Sequence, residues 1–291
     1  ARPQLLDMMM DVLCLAPTLA SDLSRRPDLL DGLIDATALR LPPEIDAIAE
    51  RLRHDDPDAD LEQRLDKVRR EVGEMRFALG VQIVEGTSDP VDVAAGYARV
   101  AEAAIRVVAE AVKAEYEATH GRVPDSELII LALGRMGGAE LTHASDLDLI
   151  YLFSGDFGAE SDGRKPLGAV HYYNRLGQRV TAGLSVPTAA GALYEVDTRL
   201  RPSGADGPLS VSLDGFALYQ REDAWTWEHL ALVRARPVYG SEAGRAATQE
   251  VIAKTLLRDR DWAAFLSDAV TMRGEIAKAK PPKGALDVKL I

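Results

Sequence analysis

A single cysteine, Cys14, stands among 291 residues, which excludes an internal disulfide framework and fits a reducing compartment. No window approaches 18 uncharged apolar residues, so nothing in the sequence reads as a membrane span. The first residues, ARPQLLDMMMDVL, make a poor signal peptide, because Asp7 and Asp11 interrupt the apolar run. Basic residues are short as well: 34 Lys and Arg against 46 Asp and Glu give a formal charge of −12 and a pI near 5.0. Such a chain lacks the basic surface that supplies most non-specific nucleic-acid affinity. Acidity leaves small-nucleotide chemistry open, since a carboxylate metal site brings its own positive charge with the ion. None of the five histidines forms a His-x-x-x-His pair, and His229 has no partner at metal-ligand spacing. Tandem repeats and low-complexity tracts are absent. The expectation is a cytoplasmic protein with neither membrane nor nucleic acid as partner.

What is present is the balance of a soluble globular protein, 47% hydrophobic and 27% charged. The length suits one large domain or two ordinary ones. The chain begins with Ala and stops at DVKLI, which reads as the opening of a strand, so a piece of a longer polypeptide is expected.

Residues 1–122 read as helical. Leu19, Leu23, Leu29, Leu30 and Leu33 recur at roughly helical spacing, with Pro27 set to break or restart a helix. Leu61, Leu65, Val68, Val72, Met75 and Leu79 mark one face of an amphipathic helix. VDVAAGYARVAEAAIRVVAEAVKAEYEATHG is Ala-rich and helix-prone, with Gly121 as its stop. The connector HDDPDADLEQ reads as a solvated loop rather than an ion site, because no ligand spacing or turn glycine accompanies it. Met8–Met10 and Cys14 read as core filler.

Residues 123–240 change pattern. ELIILALGR reads as a buried strand, GGAELTHAS as a glycine turn leading into one or two helical turns, and DLDLIYLF as a second strand. A helix follows at VHYYNRLGQRVTAGLS, a third strand at GALYEVDTRLR, and a turn-rich connector at RPSGADGPL. Residues 241–291 form a helical tail. The fold class expected is α+β, a mixed-sheet core between a helical N-terminal region and that tail.

The chemistry concentrates in LGRMGGAELTHASDLDLIYLF. Strand alternation puts Asp146 and Asp148 on one face, with Cα atoms roughly 6–7 Å apart. Paired carboxylates beside apolar residues are costly without a positive charge, and a divalent cation supplies it. The plain alternative is an exposed strand end or a turn cap. Gly137 and Gly138 precede the expected short helix, whose free N–H groups and dipole would bind phosphate, and Ser145 adds a hydroxyl beside the first acid. Asp197 is a third acid on the third strand, with Glu195, Arg199 and Arg201 on its face. Acid followed by two alternating arginines suggests metal ligation beside a polyphosphate clamp, or else ion pairs on a solvated face.

Together these elements resemble the nucleotidyltransferase superfamily. At closer range LGRMGGAELTHASDLDLIYLF, LYEVDTRLRPSGADGPLSVS and YQREDAWTWEHLALVRARPVYG are similar to successive blocks of the glutamine synthetase adenylyltransferase family, whose members are also called adenylyl-removing enzymes. SRRPDLLDGLID in the helical part is similar to that family's lead-in.

The resemblance implies an enzyme that moves AMP from ATP to a tyrosine of glutamine synthetase and so regulates nitrogen assimilation. It also implies two Mg²⁺ ions on Asp146, Asp148 and Asp197, and phosphate binding by Gly137, Gly138, Ser145, Arg199 and Arg201. The expected partners are glutamine synthetase and a PII signalling protein. YEVDTRLRPSG and AWTWEHLALVRAR are similar to the C-terminal, adenylylating copy of that family's two domains; the deadenylylating copy tends to read Arg-Pro-Phe-Gly where this chain has Arg201-Pro202-Ser203-Gly204. The alternatives are that second copy, releasing ADP by phosphorolysis, and a non-catalytic docking module. No G-x-x-x-x-G-K-[ST] occurs, so the ATP site would not be a P-loop. Trp225 and Trp227 read either as adenine-stacking or as packing residues, and Arg234 and Arg236 either face the cleft or cover a helix.

Overall fold

The computed structural model describes residues 3–30, 40–54, 56–188 and 190–281. Leu33 and the closing DVKLI lie outside them. Among the described residues five helices come first: α1 (Pro3–Leu15), α2 (Pro17–Arg25), α3 (Ile45–Leu52), α4 (Leu61–Val84) and α5 (Pro90–His120). Each boundary has a chemical cause. The acidic connector supplies the cap of α4: Asp60 Oδ1 accepts from the Gln63 N–H at 2.8 Å, and Gln63 Oε1 accepts from the Asp60 N–H at 2.9 Å. Asp89 accepts from Val91 N at 2.8 Å and Pro90 opens α5, while Gly121, at φ 70°, closes it.

The sheet and its helices follow in the order β1 (Leu128–Ala132), α6 (Gly134–Gly137), β2 (Leu147–Phe153), α7 (Ala169–Ser185), β3 (Val196–Asp197), β4 (Ser210–Ser212), α8 (Leu213–Glu222), α9 (Thr226–Leu232), β5 (Arg236–Tyr239), α10 (Glu242–Leu256) and α11 (Trp262–Ala279). The strand order is β3-β2-β1-β5, with β4 also paired to β2. Strand β1 runs antiparallel to β2 and β5, whereas β3 and β4 run parallel to β2. The fold is therefore mixed α/β, a five-stranded mixed sheet flanked by helices.

Alternation along β1 and β2 assigns the two faces. Leu128, Ile130, Ala132, Leu149, Tyr151 and Phe153 join a core shared with α3, α4, α5 and α7. Ile129, Leu131, Ile150 and Leu152 join a second core with Phe216, Leu232 and Ile252 of α8–α10. The first core also takes in Val68, Val72 and Leu79 of α4, with Leu61, Leu65 and Met75 packed at its edge, as their spacing predicts. A third cluster seats Val12, Leu19, Leu23 and Leu29 against Phe77 and Val81 of α4.

Three expectations are corrected. Cys14 and Met10 are exposed rather than core, because α1 turns only the stripe of Val12 and Met8 toward α4. The third strand shrinks to Val196–Asp197, since the chain turns at once: the Arg199 N–H donates to Asp197 Oδ1 at 2.8 Å. Strands β4 and β5 emerge inside stretches that had no strand reading.

A buried ion cluster joins the helical region to the sheet. Glu102 of α5, 2% exposed, pairs with Arg106 at 2.6 Å and with Arg236 of β5. Arg106 Nε also donates to the Val238 carbonyl at 3.2 Å, and its Nη1 meets Asp46 of α3 at 3.0 Å. Glu102→Gln leaves two guanidinium groups without their shared buried counter-charge. Discounted for their part exposure, the expected loss in urea denaturation is about 2–3 kcal/mol. An unchanged unfolding midpoint would show that the cluster does not hold the two parts together.

Candidate active site

Three carboxylates converge at one end of β2. Asp146 lies just ahead of the strand and is exposed, Asp148 is its second residue, and Asp197 ends β3. Pairing of β2 with β3 in register, Leu147 with Val196 and Asp148 with Asp197, sets the second and third acids side by side. One carboxylate oxygen from each of the three lies within 4.8 Å of the others. Among the described residues no other such group of three possible metal ligands occurs.

The electrostatics are uneven. Burial pushes the Asp148 carboxyl above its ordinary range, and Asp146 and Asp197 push it further; Arg199 and Arg234 offset part of this. Asp197 moves the other way, because the Arg199 side chain donates to it and holds the carboxylate form. Arg199 Nε lies 3.0 Å and 2.9 Å from the two Asp197 oxygens, and its Nη2 completes the fork.

Backbone geometry brings Gly134 against the acids, a residue that sequence reasoning used only to end a strand. Its φ is +56°, and an added Cβ would stand 2.1 Å from Asp148 Oδ2. A tight turn directly after a buried strand was the available signal. The helix expected after Gly137 and Gly138 lies before them instead: Gly137 ends α6 and Gly138 caps it. Their N–H groups are already engaged, Gly137 with the Leu133 carbonyl at 2.8 Å and Gly138 with that of Gly134 at 3.2 Å. These glycines answer a close approach. A Cβ on Gly137 would meet the Arg234 carbonyl at 1.9 Å, and one on Gly138 the Arg234 side chain at 3.1 Å. Arg234 thus lies over the glycine turn on the acid side, whereas Arg236 turns away to Glu102 and to the Gly137 carbonyl at 3.4 Å.

The other candidates are placed as follows. Ser145 closes a turn, its Oγ accepting from Thr142 N at 3.0 Å and lying 2.8 Å from Thr142 Oγ1. Arg201 folds onto its own loop, donating to the carbonyls of Thr198, Ala205 and Gly207. Arg199 remains exposed beside the acids. Trp225 is 71% exposed at the start of α9, so packing does not account for it. His229 is a satisfied core residue: Nδ1 accepts from Arg260 at 3.0 Å, and Nε2 donates to the Gln220 carbonyl at 3.0 Å.

One positioning residue was invisible in the sequence. Arg76 of α4 donates to the Leu193 carbonyl at 2.7 Å and to the His143 carbonyl, and lies 4.7 Å over the Tyr194 ring. It straps together the two segments that lead into Asp197 and Asp146.

A family model described as glutamate-ammonia ligase adenylyltransferase matches residues 6–251. The chain is 42% identical over 292 residues to the bifunctional glutamine synthetase adenylyltransferase/adenylyl-removing enzyme of Brucella suis biovar 1, a match covering 100% of this chain and 30% of that protein. Proteins of the same name from Mesorhizobium japonicum and Rhizobium meliloti are 40% and 39% identical, over 100% and 99% of this chain. The chain spans about 30% of the length of these relatives. A mixed sheet with helices on both faces is consistent with a nucleotidyltransferase core. The chain belongs to the glutamate-ammonia ligase adenylyltransferase family.

Two outcomes test the site. The raised carboxyl of Asp148 binds its proton more readily folded than unfolded, so its contribution favours folding at low pH and is lost as pH rises through the folded value. Asp148→Asn should therefore raise the metal-free melting temperature at neutral pH by a few degrees; a lower or unchanged value rejects the repulsion. Gly134→Ala forces a strained backbone and displaces Asp148. It should cost about 1–3 kcal/mol of stability and abolish any thermal stabilisation by divalent cation.

Proposed function

We propose that this chain carries an adenylyl-transfer centre, in which Asp146, Asp148 and Asp197 hold divalent metal, Mg²⁺ in two ions, and AMP passes from ATP to a tyrosine of glutamine synthetase. The convergence of the three carboxylates carries the reading. The residues fit a cation: one carboxylate oxygen from each lies within 4.8 Å of the others, and Asp148 lacks enough positive charge nearby to offset its burial. Such an ion, when bound, neutralises charge on attacking and leaving oxygens in a displacement at phosphorus.

The chain's own residues would do the rest. A tyrosine hydroxyl has an ordinary pKa of about 10, so it reaches the reaction largely protonated. Asp197, which Arg199 keeps unprotonated, would orient that hydroxyl and take its proton only as the hydroxyl's acidity rises, because the same contact makes the carboxylate a weak base. Arg199, exposed and forked, and Arg234, over the glycine turn, are placed to draw the leaving phosphates. Arg201 shapes the loop that presents Arg199. Gly137 and Gly138 admit Arg234, and Ser145 fixes the turn before Asp146. The relatives' names couple this activity to adenylyl removal. The adenylylating direction rests on the Arg201-Pro202-Ser203-Gly204 wording, with Ser203 exposed in the left-handed region at φ 60°. A cytoplasmic location and regulation by a PII protein complete the reading.

The test is AMP incorporation into purified glutamine synthetase with ATP and Mg²⁺. Wild type should transfer AMP, and Asp146→Asn should lose about 3–4 kcal/mol of transition-state stabilisation, a few hundred-fold in rate. Near-normal transfer by a folded variant removes the metal role. ADP formed from adenylylated glutamine synthetase and phosphate, with no forward transfer, assigns the opposite direction.

A further inference from the structure

Between α2, α4 and the segments leading into Asp146 and Asp197 lies a cavity of about 690 Å³. Ser145, Asp146 and Glu195 form its wall on the acid side, and Arg25, Arg26, Arg69 and Arg76 line it from the helical side. Four guanidinium groups gathered in a chain of charge −12 call for an account. Arg25 and Arg26 belong to the SRRPDLL segment, for which the adenylyl-transfer reading has no use.

Some of this charge is already matched. Arg26 pairs with Asp28 at 2.6 Å, and both terminal nitrogens of Arg76 donate to carbonyls. Asp22, also on the wall, is engaged with His143 Nε2 at 2.8 Å. Two arginines are matched more loosely. The Arg25 side chain is exposed and makes no hydrogen bond or ion pair with a described residue, its charge only drawing on the Asp22 carboxylate of the same wall. Arg69 is 3% exposed, and its Nη2 donates to the Gly183 and Val186 carbonyls at 2.9 Å, yet Nε and Nη1 have no hydrogen-bond partner among the described residues. The Asp66 carboxylate stands 4.0 Å from Nη1 and also accepts from the Thr188 hydroxyl. A guanidinium so deep, with so loose a counter-charge, leaves positive potential in the adjoining space. Glycine at position 73 keeps room on the same wall, since a Cβ there would meet Arg26 Nη1 at 2.4 Å.

We propose that this cavity is an anion site taking a multiply charged oxyanion of the phosphate class, either free phosphate or the phosphates of a nucleotide tail, with Arg25 and Arg69 as its principal cations. Asp146 and Glu195 on the opposite wall repel the anion and confine it to the arginine side. Forked guanidinium donors match phosphate oxygens, and the site requires no divalent ion.

Isothermal titration in EDTA, with inorganic phosphate and separately with pyrophosphate, tests this independently of AMP transfer. Saturable binding of at least one anion is expected. Tighter pyrophosphate binding assigns the site to a nucleotide tail and tighter phosphate binding to the free anion, and either supports it. Arg25→Gln, at an exposed residue whose side chain makes no hydrogen bond or ion pair with a described residue, should weaken binding about tenfold while leaving the melting temperature in place. Arg69→Met should weaken it as much where circular dichroism shows the fold retained, and Asp148→Asn should keep it. No saturable binding of either anion, affinity unchanged in Arg25→Gln, or binding that appears only with Mg²⁺ would overturn the site.

Discussion

Mutual repulsion among three carboxylates is the constraint around which the rest of the structure is arranged. Left to themselves, Asp146, Asp148 and Asp197 would separate, because the two outer carboxylates add to burial in raising the cost of ionising Asp148 between them. The backbone prevents it. Strand β2 is clamped on one side by β1, whose ladder continues through the Leu133 N–H to the Asp148 carbonyl at 2.9 Å. On its other side the Leu147 N–H donates to the Glu195 carbonyl at 2.9 Å, fixing β3 in register. Asp148 therefore cannot withdraw, and Asp197 cannot slide past it without breaking ladder bonds.

The helical N-terminal region takes part in this restraint. Arg76 of α4 grips the segments ahead of both outer acids, and Glu102 of α5 holds Arg236, which reaches the Gly137 carbonyl. One apolar cluster runs from Ile48 of α3 through α5 to Val238 of β5, so the same packing that buries the long Ala-rich helix also seats the sheet. Small side chains matter here. Ala101, Ala103 and Ala104 are fully buried in α5, and only such residues let a helix of this length lie close to α4 and the sheet at once.

Legibility in the sequence followed the length of the pattern. Helices α4 and α5 announced themselves over six or more turns, and β2 through a continuous apolar run with acids at one end. The D-x-D pair was readable because a strand's period of two forces both acids to one side. Strands β3 and β4, at two and three residues, are shorter than any periodic signal, and their existence depends on parallel pairing with β2. The glycine turn was misread for a related reason. Glycine marks both helix openings and close approaches, and only the Arg234 carbonyl lying over Gly137 tells them apart. Arg76 and Arg69 look like ordinary surface residues of an amphipathic helix, and tertiary packing alone turns them inward.

The charge pattern then gains a spatial logic that the total of −12 conceals. Acidic residues converge at the end of β2, where a cation would relieve them, and arginines stand on both sides of that point: Arg199 and Arg234 by the acids, Arg25 and Arg69 across the cavity. Screening shortens such fields to about 8–10 Å at ordinary salt, so what discriminates is the local order of charges and not the net value. On the reading proposed above, cations on the helical side and on the loops by Asp197 and Gly137, with the acids between them, would let one short stretch of an acidic protein receive phosphate.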